Sequence, residues 1–164
     1  GRAPNFNLLK AMSNECFMPL AYGGGVRSVA DARRLFNLGV EKVVLNSSAV
    51  ERPTLITELS NAFGSQSILV SIDVKKNWLG HPRVFSRGGR KSTGMDPIVW
   101  AKESERLGAG EIVLNSIERD GTMQGYDIPL IEAVCNAVRT PVIACCSQAV
   151  YFIACAASVT TSVM

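Results

Sequence analysis

One segment of the chain occurs twice, and this repeat restricts the fold more than any other feature of the sequence. Residues 38–47 read Leu-Gly-Val-Glu-Lys-Val-Val-Leu-Asn-Ser, and residues 107–116 read Leu-Gly-Ala-Gly-Glu-Ile-Val-Leu-Asn-Ser. Each copy passes from a helix end through a glycine turn into an apolar strand that ends on polar residues. Such repetition is typical of a barrel built from equivalent βα units.

Short apolar runs alternate with amphipathic stretches along the rest of the chain, which predicts a parallel sheet. The apolar runs predict strands at residues 19–22, 42–46, 68–73, 112–115 and 141–144. The amphipathic stretches predict helices at residues 5–15, 29–38, 53–63, 97–107 and 128–138. We therefore predict an α/β fold, an incomplete (β/α)8 TIM-type barrel, and a flavodoxin-like open sheet is the alternative.

Composition excludes several functional classes. The formal net charge is +3 and no basic run occurs, so we expect no nucleic-acid partner, whereas a phosphorylated small molecule would suit this charge. No apolar run reaches the roughly 18 residues of a membrane span, and no signal core follows the N-terminus. We therefore expect no membrane partner and a cytoplasmic location. The five cysteines and one histidine lack metal-site spacing, so we expect neither a metal nor another cofactor.

Both ends of the chain depart from the pattern of a complete barrel. The chain does not begin with Met, so we expect it to start inside a longer protein. After Arg139 no charged residue occurs, although a helix behind the last predicted strand should have a charged outer face. We divide the chain into a partial barrel at residues 1–144 and a divergent tail at residues 145–164. We interpret the tail as a misread or frame-shifted terminus; an apolar surface that needs a partner is the alternative.

Polar residues lie where parallel βα folds bind ligands, beyond the carboxyl ends of the strands. Gly24 and Gly25 follow the first predicted strand, and glycines let backbone N–H groups approach a phosphate closely. A tight turn is the alternative. Asn46 and Ser47 end the next strand and could complete the same phosphate site, or they could cap the helix that follows.

Asp73 ends an otherwise apolar strand and is the first candidate catalytic residue. A carboxylate there would point into the mouth of the barrel, where partial burial raises its pKa and suits it to general acid–base catalysis. An ion pair with Lys75 or Lys76 is the alternative.

Asp120 follows the fourth predicted strand and is a second candidate acid or base. Ser116, Gly121 and Thr122 surround it and are candidates for binding a second phosphate. Since Asp-Gly is also a common turn sequence, a plain turn is the alternative. Two carboxylates between two phosphate sites would suit a substrate that is phosphorylated at both ends.

Lys42 and Glu111 occupy the amino-terminal ends of their strands. Charged residues at that end of a barrel usually serve stability or contact a partner. The sequence does not separate these two roles.

Residues 77–91 are polar and glycine-rich and predict a hairpin or mobile loop after the third strand. Arg87, Arg90 and Lys91 surround a Gly-Gly pair and could close over a phosphate or simply keep the loop soluble. We expect His81 to be solvated. We expect both tryptophans, Trp78 and Trp100, to pack against other residues.

Four motifs, in order, resemble a known family. They are Pro-Leu-Ala-Tyr-Gly-Gly-Gly-Val-Arg-Ser (19–28), Glu-Lys-Val-Val-Leu-Asn-Ser-Ser-Ala-Val (41–50), Phe-Gly-Ser-Gln-Ser-Ile-Leu-Val-Ser-Ile-Asp-Val-Lys (63–75) and Gly-Ala-Gly-Glu-Ile-Val-Leu-Asn-Ser-Ile-Glu-Arg-Asp-Gly-Thr (108–122). They look like strands 3 to 6 of the cyclase subunit of imidazole glycerol phosphate synthase, and the likeness runs from about residue 1 to 144. The resemblance implies a phosphate-binding (β/α)8 barrel, of which this chain carries roughly strands 3 to 7.

The resemblance also implies a reaction in histidine biosynthesis. The family's cyclase uses ammonia from a glutaminase subunit, its heterodimer partner, to convert a bis-phosphorylated formimino ribonucleotide into imidazole glycerol phosphate and aminoimidazole carboxamide ribonucleotide. By resemblance, Asp73 is one of two catalytic aspartates. Several other candidates match the family's first phosphate site (Gly25, Asn46, Ser47), its second phosphate site (Asp120, Gly121) and its charged ammonia gate, which faces the glutaminase (Lys42, Glu111).

The chain departs from this family in three places. The family's first two strands are absent, and the first carries the other catalytic aspartate. Cys-Ser-Gln-Ala at residues 146–149 stands where the family has a glycine-rich loop. No eighth strand is recognisable. We therefore expect the chain alone to be inactive.

Other functions stay open. Residues 15–22 look more like second-copy relatives that help to place acetamidino groups on surface-polysaccharide sugars. A sugar-phosphate isomerase with the same barrel, a non-catalytic scaffold that docks a glutaminase, and a truncated product without function are the remaining alternatives.

Overall fold

A computed structural model describes residues 4, 6, 9–11, 19–122 and 125–145, and the backbone of residues 153–155. The strands, in chain order, are β1 (Ala21–Gly23), β2 (Lys42–Leu45), β3 (Ile68–Lys76), β4 (Pro82–Ser86), β5 (Lys91–Ser92), β6 (Glu111–Ser116), β7 (Val142–Cys145) and β8 (Ile153–Cys155). The helices are α1 (Val29–Asn37), α2 (Ser47–Glu51), α3 (Thr54–Phe63), α4 (Pro97–Arg106) and α5 (Ile128–Cys135), and a 3-10 turn spans Ser65–Ser67.

Five strands form a parallel sheet in the order β1-β2-β3-β6-β7, which is also their order along the chain. Helices lie in the connections between successive parallel strands, as is usual for crossovers of this kind. A flavodoxin-like sheet would reverse its strand order at a switch point, and this sheet does not. The fold is therefore an incomplete (β/α)8 barrel, as the sequence predicts.

The strand and helix predictions agree with the structure to within about three residues. The strand predicted at residues 68–73 continues to Lys76 because β4 pairs with its last part. In this pairing Asp73 lies opposite Phe85 and Lys76 lies opposite Pro82. The predicted hairpin is confirmed, since β3, β4 and β5 are successive antiparallel neighbours. The short helix α2 was not predicted. Most of the helix predicted at residues 5–15 lies outside the described residues, of which 6 and 9–11 are helical.

The core lies between the inner strands and the helices that cover them. Ile68, Val70 and Ile72 of β3 are fully buried, as expected for a strand with neighbours on both sides and helices outside. Trp100 of α4 is buried at 3% exposure, so its predicted packing role is confirmed. Trp78 is 91% exposed, and its predicted packing role is wrong. It lies in the turn between β3 and β4, where the chain reverses away from the core.

The divergent tail contributes the last strand of the sheet. β8 pairs with β7 in the antiparallel direction, so that Val142 lies opposite Cys155 and Ala144 lies opposite Ile153. The eighth strand of a closed barrel runs parallel to the seventh, so β8 is not such a strand. The domain boundary after residue 144 stays a prediction. None of the helices within the described part of the chain is long and apolar enough to cross a membrane.

Candidate active site

An open cavity of about 930 Å³ lies at the carboxyl ends of β1, β2 and β3. Candidate residues from three separate parts of the sequence meet there: the glycine turn after β1, the end of β2, and Asp73 of β3. The turn between β4 and β5 adds two arginines. The residues that line the cavity include Gly24, Gly25, Arg27, Asn46, Ser47, Glu51, Ser71, Asp73, Arg87, Gly88 and Arg90.

The glycine turn presents its backbone to the cavity. Gly24 and Gly25 have φ values of 118° and 74°, in the region that side chains disfavour. A Cβ atom at Gly24 would meet nothing within 4 Å, so its backbone is open on that side. The turn leads into α1, where Ser28 caps the helix by accepting a hydrogen bond from the N–H of Asp31 (3.1 Å). This arrangement offers backbone donors to an anion in the cavity.

Asn46 joins the end of β2 to β3. Its Nδ2 donates a hydrogen bond to the carbonyl oxygen of Ser71 (3.2 Å), and its Oδ1 accepts one from the hydroxyl of Ser47 (3.2 Å). Although Asn46 precedes α2, its side chain makes no capping hydrogen bond there. The alternative role of Asn46 as a side-chain cap is therefore wrong. Its contacts keep the Ser47 hydroxyl at the cavity wall.

Asp73 is partly buried and faces Asn115 of β6 across the sheet. Burial raises the pKa of the Asp73 carboxyl, and the nearby Asp120 raises it further. Hydrogen bonds from neighbouring side chains oppose this shift, and the first of them comes from Asn115, whose Nδ2 lies 3.3 Å from Asp73 Oδ1. Among the described residues no lysine or arginine forms an ion pair with Asp73, so the alternative pairing with Lys75 or Lys76 does not occur.

Asn115 is a site residue that the sequence reasoning missed. Its Oδ1 is buried and has no hydrogen-bond partner among the described residues. The internal repeat contained the signal, because Asn46 and Asn115 end equivalent strands on either side of β3. Both side chains donate to β3, one to a backbone carbonyl and the other to Asp73.

The candidates that follow β6 lie outside the large cavity. Asp120 lies in a turn in which its N–H donates to the carbonyl of Ser116 (3.0 Å). Thr122 donates its hydroxyl to the Arg119 carbonyl (2.9 Å), and Gly121 has φ 78°. Ser116 lines a separate cavity of only about 10 Å³. The predicted turn is present, and binding of a second phosphate there stays a prediction.

Lys42 and Glu111 form an ion pair at the opposite end of the barrel. Lys42 Nζ lies 2.5 Å from Glu111 Oε1, and the two side chains are 36% and 21% exposed. β3 separates the two strands that carry them, so the pair bridges non-adjacent strands. The second carboxylate oxygen, Oε2, is buried without a partner among the described residues.

The turn between β4 and β5 contacts α2 beside the cavity. The N–H of Arg87 donates to Ser47 Oγ (2.7 Å), and its guanidinium donates to Glu51 Oε1 from Nε (3.2 Å) and Nη2 (2.8 Å). The hydrogen bond from Arg87 lowers the pKa of the Glu51 carboxyl. Glu51 was not a sequence candidate, because nothing in its surroundings along the chain indicates a contact with the hairpin. His81 is exposed, as expected.

Within the described ranges, no group of three or more His, Cys, Asp or Glu side chains is placed to hold a metal ion.

Residues 1–146 match the model of a protein family described as histidine biosynthesis protein. The matched region includes all the candidate residues of both barrel ends.

Proposed function

Because the chain belongs to the histidine biosynthesis protein family, we propose that it forms the substrate-binding part of an imidazole glycerol phosphate synthase cyclase. This enzyme converts a bis-phosphorylated formimino ribonucleotide and ammonia into imidazole glycerol phosphate and aminoimidazole carboxamide ribonucleotide. The family also fits the sugar-phosphate isomerase of the pathway, so the proposal depends on a feature that separates the two.

The Lys42–Glu111 ion pair is the observation that supports the ammonia-using enzyme. Phosphate-binding glycines and a catalytic carboxylate suit both enzymes. An isomerase has no need of a second entrance, whereas a cyclase receives ammonia at the end opposite its substrate. A charged pair that joins non-adjacent strands at that end is suited to gate such an entrance. We propose that a glutaminase subunit docks on the same amino-terminal face and forms a heterodimer.

The proposed mechanism uses the residues of the large cavity in two ways. The amides near Gly24 and Gly25 and the hydroxyl of Ser47 bind one phosphate of the substrate. Asp73 transfers protons during ring closure, a role suited to a carboxyl whose pKa is raised by burial. Asn115 orients the Asp73 carboxyl through its hydrogen bond.

A second candidate function rests on residues 15–22, which resemble relatives that act in acetamidino modification of surface-polysaccharide sugars. That branch shares the barrel and the ammonia supply and differs in its final acceptor. A glutaminase-docking scaffold is a further alternative, in which the glutaminase is activated and the bis-phosphate does not bind.

The test measures release of aminoimidazole carboxamide ribonucleotide by the full-length gene product that carries residues 1–144, with ammonium chloride as the nitrogen source. Asp73→Asn should lower kcat by at least about 100-fold, as loss of a general acid–base group does, and leave substrate affinity nearly unchanged. Ser47→Ala should weaken substrate affinity. Glu58→Gln, an exposed change on α3, is the control.

Three results would contradict the proposal. Release that is insensitive to Asp73→Asn would remove its catalytic role, and rearrangement of the substrate without ammonia would favour the isomerase. Glutaminase activation without substrate binding would favour the scaffold. We also expect residues 1–164 alone to give no turnover, since the resemblance places the other catalytic aspartate on a strand that they do not contain.

A further inference from the structure

We propose that Arg87 of the β4–β5 turn binds the substrate phosphate, and that Glu51 is the residue that positions it. This inference rests on the proposed function, because it assumes a phosphate at Gly24, Gly25 and Ser47. It adds the β4–β5 turn to the binding site and gives that turn a defined chemical task.

The guanidinium of Arg87 has one edge occupied and one edge available. Nε and Nη2 both donate to a single oxygen of Glu51, which fixes the plane of the group. The other edge, formed by Nη1 and the remaining hydrogen of Nη2, makes no hydrogen bond to any described residue. An arginine held in this way can donate two parallel hydrogen bonds to a phosphate, the geometry that distinguishes arginine from lysine.

The backbone of Arg87 ties the same turn to the proposed phosphate site. Ser47 Oγ accepts the N–H of Arg87 at 2.7 Å. A hydroxyl can accept one hydrogen bond while it donates another. Ser47 can therefore keep its contact with Arg87 and turn its hydrogen from Asn46 to a phosphate oxygen. The phosphate and the β4–β5 turn would then share a ligand.

The conformation of Arg87 indicates that a side chain is needed at this point. Its φ is 56°, and Gly88 and Gly89 follow with φ values of 65° and 77°. Glycine adopts such values without a steric penalty, whereas arginine does not. An exposed ion pair with Glu51 contributes little stability, so stability does not explain an arginine here. Strain of this kind is found at ligand-binding sites.

The turn is held on its other side as well, so its position is defined. A Cβ atom at Gly89 would lie 2.9 Å from Cδ1 of Ile117, which follows β6. The turn thus extends from α2 to the end of β6, across the carboxyl end of β3. An arginine on a turn anchored at both sides binds a ligand with less loss of conformational freedom than one on a loose loop.

The charge of the cavity wall supports an anionic ligand. Three arginines line the cavity, Arg27, Arg87 and Arg90, against the two carboxylates of Glu51 and Asp73. Burial favours the neutral form of Asp73, so the positive excess is larger than the count of side chains suggests. A phosphate that carries two negative charges complements this surface.

The test titrates inorganic phosphate into the chain at constant ionic strength in a calorimeter. Arg87→Ala should raise the dissociation constant at least about tenfold, since it removes a charged hydrogen-bond pair. Arg87→Lys keeps the positive charge and loses the two parallel donors of the guanidinium, and should raise the dissociation constant about threefold or more. Glu51→Gln keeps the shape of the side chain and loses the carboxylate that holds the Arg87 guanidinium, and should also raise the dissociation constant. Arg106→Ala on α4 removes an exposed arginine outside the cavity and should have no effect.

The outcomes separate this inference from the proposed function. If the wild-type chain binds no phosphate, the proposed phosphate site fails and the role of Arg87 fails with it. If Ser47→Ala weakens binding and both Arg87 variants bind normally, only the inference is wrong. Tighter binding by Glu51→Gln would show that Glu51 competes with phosphate for Arg87, and would overturn its positioning role. Circular dichroism melts check that each variant folds. If Arg87→Ala does not fold, the dissociation constant of Arg87→Lys decides whether Arg87 binds phosphate.

Discussion

Replacing Gly110 with alanine tests how closely the chain packs at the amino-terminal end of the barrel. A Cβ atom at Gly110 would lie 2.1 Å from the carbonyl oxygen of Ser65 and 2.9 Å from the amide nitrogen of Gln66. Both are backbone atoms, so no side-chain rotation relieves the clash. Gly110 must therefore move away from the 3-10 turn, which strains the hydrogen bond from its N–H to the Ile68 carbonyl (3.0 Å).

The size of the effect follows from three contributions. Overpacking of a well-packed site costs about 1–3 kcal/mol, and weakening the hydrogen bond from Gly110 to Ile68 costs about 1 kcal/mol. Alanine also restricts the unfolded chain, which offsets about 0.4–1 kcal/mol of this destabilisation. The free energy of unfolding should therefore fall by about 2 kcal/mol. The glycine precedes Glu111, so the same movement should disturb the ion pair with Lys42.

Urea unfolding followed by far-ultraviolet circular dichroism measures this loss. Glu41→Ala is the matched control, because Glu41 takes the place of Gly110 in the other copy of the internal repeat and is exposed. The control should change stability by less than about 0.5 kcal/mol. A Gly110→Ala variant as stable as the control would show that the close backbone approach is wrong.

Three further predictions concern charged residues. Burial raises the pKa of Asp73, so its ionised form opposes folding. Asp73→Asn should therefore be more stable than wild type at pH 7. In urea melts this gain in stability should shrink towards pH 4, because Asp73 then gains its proton in the folded wild type. Glu105 accepts hydrogen bonds from the Arg139 and Thr140 amides (2.7 and 2.8 Å), and its pKa is lowered by these bonds despite burial. Glu105→Gln should lower the free energy of unfolding by about 1 kcal/mol at pH 7, a figure that allows for solvent screening. The difference between variant and wild type should disappear as the pH falls from the ordinary pKa of a glutamate through the lowered pKa of Glu105. A double-mutant cycle of Lys42→Met and Glu111→Gln should give a coupling of about 1 kcal/mol in thermal melts, and additivity would argue against the ion pair.

Much of the parallel sheet could be predicted from the sequence, because its signals are local. An apolar run buried on both faces, a glycine after a helix and a polar strand end each lie within a few residues. For the same reason the repeat placed Asn46 and Ser47 at the end of β2, and the apolar run at residues 68–73 placed Asp73 in β3. In a parallel sheet all these ends meet at one edge, so their assembly around a cavity follows from the fold class.

Contacts between distant parts of the chain could not be predicted in this way. The hydrogen bond from Asn115 to Asp73 depends on the register of β3 with β6, and the pair of Glu51 with Arg87 depends on where a hairpin turn folds back. A strand buried on both faces is a continuous apolar run without the alternation that would fix its register, and such a run does not locate the turn of a hairpin. Trp78 shows the same limit, since an aromatic residue in a turn is exposed or buried according to the direction of that turn.

The tail illustrates a further limit of reasoning from the sequence. β8 spans three residues, and a short apolar run has no periodicity that would distinguish a parallel strand from an antiparallel one. Its pairing with β7 in the antiparallel direction therefore could not be expected from composition.

The most direct test of the proposed function is the fate of labelled nitrogen. The full-length gene product carrying residues 1–144 is incubated with the bis-phosphorylated formimino ribonucleotide and ¹⁵N-ammonium, and the products are analysed by mass spectrometry. The cyclase account predicts imidazole glycerol phosphate with one ¹⁵N in its ring, formed by wild type and lost in Asp73→Asn. Unlabelled isomerised product, or labelled product formed equally well by Asp73→Asn, would contradict it.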